Sequence, residues 1–220
     1  KGHCVIVGIF VSLFLYWPTT PMLAVSPSIL INEVQITGGV GQAGHDFVEL
    51  HNPTDTTFNL KGYRLVKRTK TGTTDTSLKS WSTDTYIPAK GFFLWVSSSD
   101  PEWSESMTTG AATSQTIASD NGVALRFGPE DTGVIIDSVA WGTAQNSFVE
   151  GSTFSTNPGS GQSIERKGGL DTDRNANDFA ILSTPTPTQT PLSETPTIDT
   201  SPSSTPSPSP TSPDANTSEL

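Results

Sequence analysis

From residue 26 to residue 182 the chain is a succession of short apolar runs, each cut off by Gly, Pro, Asn or Asp before a helical period can establish itself. Residues 29–36 are rich in β-branched side chains and stop at Gly38-Gly39, residues 47–52 stop at Pro53, and residues 63–69 run into a polar Lys-Thr-Gly stretch. Residues 85–87 precede Pro88, and residues 91–97 form an aromatic strand. Residues 122–127 and 134–141 flank a Gly- and Pro-containing hairpin connection, and residues 163–167 and 178–181 close the series. Strand-forming runs at this spacing, with turn residues between them and no sustained 3.6-residue period, predict an all-β sandwich or barrel. The stretch is long enough to bury a core of its own.

Alternation assigns faces within the strands. Val48 and Leu50 are expected to point inward and Phe47, Glu49 and His51 outward, while Leu65, Leu94, Leu125, Ile135 and Val139 contribute to the interior of two antiparallel sheets. Two long polar segments remain as loops, residues 98–119 with Trp103 and Met107 and residues 142–161 with Phe148 and Phe154. Loops at the ends of a sandwich are where function usually resides. Their aromatics read first as pins that hold each loop on the core.

Both ends differ from the middle. Residues 5–17 are apolar, follow Lys1 and precede Pro18, and are too few for a bilayer, which needs about 20. Residues 1–24 therefore read as a secretory signal cleaved after Ala24, with an uncleaved anchor as the alternative; a start at Lys1 rather than Met suggests a missing N-terminus. Cys4, the lone cysteine, lies inside that segment, so the exported part is expected to lack disulfides, thiolate metal sites and a cysteine nucleophile. From residue 183 to 220 the composition becomes Ser, Thr and Pro with little to bury, which predicts a disordered, partly polyproline-like stalk. The mature chain would carry 11 basic against 22 acidic residues, a balance that suits solubility and argues against a nucleic-acid partner.

Several motifs together resemble the lamin-tail domain, an immunoglobulin-like β-sandwich. They are Ile31-Asn32-Glu33-Val34, Asp46-Phe47-Val48-Glu49-Leu50-His51-Asn52-Pro53, Leu60-Lys61-Gly62-Tyr63-Arg64-Leu65 and Ile87-Pro88-Ala89-Lys90-Gly91-Phe92. Asp137-Ser138-Val139-Ala140-Trp141-Gly142, Gly161-Gln162-Ser163-Ile164-Glu165-Arg166 and residues 171–179 continue the series, so the resemblance spans about residues 29–181, within a domain placed at 28–182. It implies a non-catalytic module, which in bacteria accompanies exported hydrolases and surface proteins and in nuclear lamins contacts protein partners and chromatin. It supplies no catalytic residue.

Three residue groups offer chemistry. Asp171, Asp173, Asn175 and Asp178 alternate oxygen donors as calcium loops do, but Ala176 and Leu182 stand where an EF-hand needs Gly and Glu, so Asx turns are the plainer reading and no metal or cofactor is expected. Lys61, Arg64, Lys67, Arg68 and Lys70 form a basic run that reads either as a lysine-protected edge strand or as a polyanion patch. Arg64 and Arg68 share one face, with Lys61 and Lys67 on the other. His45 and His51, with Asp46 and Glu49 between them, match no zinc spacing, and no Gly-x-Ser-x-Gly elbow occurs. The chain thus reads as a secreted or cell-surface interaction module, not an enzyme, with an unidentified protein or cell-surface partner and membrane contact only through an uncleaved N-terminal segment. The alternatives are an accessory domain for nucleic acid or anionic wall polymer, or the accessory part of a truncated exported hydrolase.

Overall fold

The computed structural model describes residues 29–107 and 110–187; the expected signal segment 1–24 and the expected stalk from residue 188 on lie outside them. In chain order the strands are β1 (Leu30–Gln35), β2 (Phe47–His51), β3 (Phe58–Asn59), β4 (Tyr63–Arg68), β5 (Thr76–Ser80), β6 (Tyr86–Ile87) and β7 (Phe92–Ser97). They continue as β8 (Ala111–Thr113), β9 (Gly122–Phe127), β10 (Val134–Ala140), β11 (Ser163–Arg166) and β12 (Phe179–Leu182). Helices α1 (Pro101–Ser106) and α2 (Asn175–Asp178) are single turns or little more. One sheet runs β12-β11-β1-β2-β7-β8, the other β10-β9-β4-β5, and β3 and β6 form a separate ribbon.

The two large sheets close on one core, in which Ile31, Val48, Leu50, Phe93, Trp95 and Ile164 of the six-stranded sheet meet Leu65, Val123, Leu125, Val139 and Trp141. Period-2 alternation on each strand produces this, and it is the all-β immunoglobulin-like sandwich expected. Val48 and Leu50 point inward as anticipated, and so do Leu65, Leu125 and Val139. Leu94 and Ile135 do not. Leu94 is buried on the outer face of the six-stranded sheet with Phe47 and Val96, beneath Trp103 and Met107, and Ile135 packs outside the four-stranded sheet against Val66, Ala124 and Phe148. The cause in β10 is a bulge between Ile135 and Asp137, which turns Ile135 out beside Arg126 and Asp137 in beside Leu125.

Residues 98–119 are also not a plain loop. Asp100 caps α1, its carboxylate accepting the Trp103 amide at 3.2 Å, with Pro101 opening the helix. The segment then returns as β8, paired in parallel alongside β7. Two glycines have conformational reasons. Gly62 (φ 86°) would press a Cβ to 2.9 Å from the Phe127 ring, and Gly142 (φ 62°) would bring one to 2.2 Å from the Asp120 carboxylate.

Asn52 explains its motif. Its buried amide donates to the carbonyls of Thr56 (2.8 Å), Ile87 (3.1 Å) and Pro88 (2.9 Å), while its oxygen accepts from Thr54 N and Oγ1, tying the turn after β2 to that before β7. Asn52→Ala strips those carbonyls of a donor, and the expected cost is about 1–3 kcal/mol. Equilibrium denaturation should show it as a lower midpoint at unchanged slope; an unchanged midpoint would contradict the assigned role.

Candidate functional site

The basic run is dispersed. Strand β4 is paired on both sides, with β5 and with β9, so the edge-strand reading is corrected: these residues protect no edge. Lys61 meets Asp84 at 3.3 Å and Arg64 meets Glu130 at 3.0 Å, both partly exposed. Lys67 turns to the opposite face and donates to the Thr116 carbonyl. Arg68, buried, meets Asp75 at 2.7 Å, and Asp75 also meets Arg126 at 2.7 Å. Both guanidiniums lie over the Phe148 ring, at 5.0 and 5.4 Å, which fastens the 142–161 segment to the sheet's outer face. Carboxylates and carbonyls engage these four side chains, and of the two exposed cations of the run, Lys61 and Lys70, the first is paired with Asp84. No stripe of free cations forms.

The calcium candidates are divided in the same way. Asn175 is fully buried and uses its whole amide internally, its oxygen accepting from Ala140 N and Glu150 N and its nitrogen donating to Ser138 O and Glu150 Oε2. Asp178 accepts from Thr172 N, Thr172 Oγ1 and Arg174 N, groups that precede it in the chain, so it closes the 172–178 loop from its C-terminal side. Asp171 accepts from Arg166 and from the Asp173 amide, and Asp173 itself is exposed at φ 55°.

A different carboxylate trio does converge. Oxygens of Asp137, Glu150 and Asp171 lie within 4.8 Å of one another. The guanidinium of Arg166 sits among them, in a two-oxygen bond to Asp137 at 2.7 and 2.8 Å and at 3.1 Å from Asp171. Arg166 also donates to the Ile31 carbonyl and stacks over Phe179 at 4.6 Å. Burial pushes Asp137 up to about 6 against the pull of Arg166. Burial, aided by Asp137, raises Glu150 to about 7. A resident cation therefore already occupies the focus of this cluster, and its chemistry is cross-linking between the sheets. Thermal melts in millimolar calcium and in chelator should coincide, because a metal stabilises only by preferring the native state. A shift of many degrees that Asp171→Asn abolishes would make the trio a metal site.

The histidines stay apart. His51 stacks on Phe92 at 4.5 Å and is held below its ordinary range by burial and by Lys90. His45 donates from Nε2 to Asp100 at 2.9 Å and stacks on Trp103 at 4.5 Å and 11°. The His45 hydrogen bond and the Trp103 amide keep Asp100 below the usual carboxylate range. Trp103 is thereby fixed over Phe47, Leu94 and Val96.

Beside it opens a cavity of about 350 Å³, lined by His45, Phe47, Trp103, Met107, Pro185 and Pro187 among others. Along the same outer face, register places Glu165, Glu33 and Glu49 side by side on β11, β1 and β2. Glu33 is fully buried and raised by burial first, with Glu165 adding to it; it accepts from Ser163 Oγ at 2.5 Å and from the Thr186 amide at 3.1 Å. Past the expected domain end at residue 182, the Thr186 amide still bonds Glu33 of β1. Pro185 and Pro187, on either side of Thr186, line the cavity.

At the far end of the four-stranded sheet, Val134, Phe127 and Tyr63 are direct cross-strand partners that extend the inner-face rows beyond their cover. Val134 is 66% and Phe127 49% exposed, and rings continue from Phe127 through Tyr63 to Phe58 at 4.9 and 5.2 Å. No sequence argument singled out this strip, although a Phe-Gly-Pro hairpin shoulder facing an apolar Val was there to be read.

No curated protein matches the chain. Six chains of known structure do. One is a DUF4876 family protein from Bacteroides thetaiotaomicron VPI-5482, 10% identical over 69% of this chain and 70% of its own, with a TM-score of 0.46. The family model of the Lamin Tail Domain matches residues 24–143, more than half of the 220. Motifs, sandwich and family match agree, and the chain belongs to the lamin-tail domain family.

Proposed function

We propose that this lamin-tail domain is a non-catalytic interaction module, exported and presented on its Ser/Thr/Pro stalk, that binds a protein partner through the exposed strip of Val134, Phe127 and Tyr63. The observation that carries the reading is the contrast between this strip and the polar clusters. His45, Arg68, Arg126 and Arg166 are each engaged with carboxylates of the fold, whereas the strip leaves the apolar side chains of Val134 and Phe127 largely in solvent. Contiguous exposed apolar surface is a common mark of protein contact. Export is supported by the apolar segment 5–17 behind a basic residue, the acidic balance and the stalk composition.

The test is binding of the purified full chain to an extracellular protein fraction, compared with Phe127→Ser/Val134→Ser. Saturable binding that the double variant loses, with its melting temperature preserved, supports the reading. Retention of binding by that variant would move the contact elsewhere, and hydrolysis of any substrate by the purified chain would overturn the non-catalytic assignment.

A further inference from the structure

The cavity beside Trp103 is built, not incidental. Asp100 caps α1 and binds His45, His45 stacks on Trp103, and Gln35 donates to the His45 carbonyl, so four separate contacts hold one aromatic wall. Trp103 and Met107 pack on Phe47, Leu94 and Val96, an apolar cluster on the sheet face that points away from the main core. Residues entering this space from the C-terminal side are Pro185 and Pro187, and the amide between them, Thr186 N, is received by buried Glu33. A rigid aromatic surface, apolar floor and one acceptor for the intervening amide are what a proline-spaced extended segment requires: its rings need flat apolar contact, and it has few amides to satisfy.

We infer that this outer face is a proline-recognition groove whose resident ligand is the chain's own stalk root, Pro185-Thr186-Pro187. The groove sets where the stalk leaves the domain, and it continues directly from the last residues of β12, so the occupant arrives at an effective concentration no free peptide matches. The pattern Pro-x-Pro recurs further along the stalk at Pro206, Pro208 and Pro210, but the root is the copy that continuity places in the groove. This inference is independent of the Val134–Phe127 strip.

Amide hydrogen exchange on the full chain tests it. The Thr186 amide should be protected at least tenfold over the rate of an unstructured Thr. That protection should vanish in Pro185→Ala/Pro187→Ala, where the domain itself is untouched, and in Trp103→Ala, while the Ile164 amide in β11 stays protected in both. A free peptide of residues 183–192 at millimolar concentration should shift the Trp103 indole resonance of the double proline variant and leave that of the unaltered chain in place. Exchange of Thr186 at the unstructured rate in the unaltered chain, protection unchanged by both variants, or a peptide that shifts neither protein would each overturn the groove.

Discussion

Arg166→Ala is expected to lower the stability of the domain by about 3–5 kcal/mol, the loss typical when one partner of a buried ion pair is removed. For a domain of this size that is a melting temperature lower by roughly 10 °C. The reason is position. Arg166 and Asp137 both have fully buried side chains, one on each sheet, and Asp137 also receives the Ile31 amide at 2.5 Å. Without the guanidinium, Asp137 must take up a proton or remain an uncompensated charge, so the loss should be smaller at pH 5 than at pH 8. Arg166→Met/Asp137→Asn removes both charges and should recover more than half of the deficit, since replacing a pair costs less than orphaning one member. A single variant that melts within a degree or two of the parent would remove the pair from the account of what joins the sheets.

Melting temperature should also fall as pH rises from about 5 to 8. Burial raises Asp46 to about 7, against the opposing pull of the Ile117 amide and Lys67; Glu150 is raised to about 7, Asp137 to about 6, and Glu33 also upward. In the unfolded chain these carboxyls release protons near pH 4, whereas the native state keeps those of Asp46, Glu150 and Asp137 until pH 6–7 and holds that of Glu33 to higher pH than the unfolded chain does. Over that window the native state binds more protons, so stability declines with pH by about 1.4 kcal/mol per unit for each group and levels off once the folded values are passed. Two effects run the other way. His51 is held down by burial, so its contribution is lost as pH drops below its unfolded value, and Asp100 and Asp120 lose theirs in stronger acid. The raised carboxyls outnumber the one lowered histidine, so the optimum should lie below pH 5, near the range in which unfolded carboxyls titrate. Asp46→Asn keeps an oxygen for the Ile117 amide and should flatten the profile; a melting temperature that rises between pH 5 and 8 would contradict the buried-carboxyl account.

The sandwich was legible because turn residues and period-2 runs are local signals. Nine runs read from the chain correspond to strands, while Phe58–Asn59, Thr76–Ser80 and Ala111–Thr113 escaped for want of an apolar pattern. Those strands exist because neighbours supply their pairing, as β4 does for β5. The start of α1 was readable, since Asp100-Pro101 is a helix opening, but the long polar segment obscured it. Faces were legible only as far as strands stay regular: the bulge at Ile136 reversed the sense of Ile135 and sent Asp137 inward. Asp137 and Arg166 each occur in a motif quoted from the sequence, yet their partnership spans two sheets and no spacing rule announces it. The same holds for the Trp103 cavity, whose walls come from β2, α1 and the stalk root.

Strand β1 lies in the middle of its sheet, with β2 on one side and β11 on the other, and Arg166 at the end of β11 bonds the carbonyl of Ile31 across 135 residues of chain. At ribosomal rates that interval is on the order of ten seconds. Throughout it one border of β1 has no mate, and an unmated border is a template for foreign strands. Such long-range closure also makes the search for the native state slow. The chain must therefore be guarded while young, and the acidic side chains along its length, repelling sister molecules, would act before the fold exists as well as after.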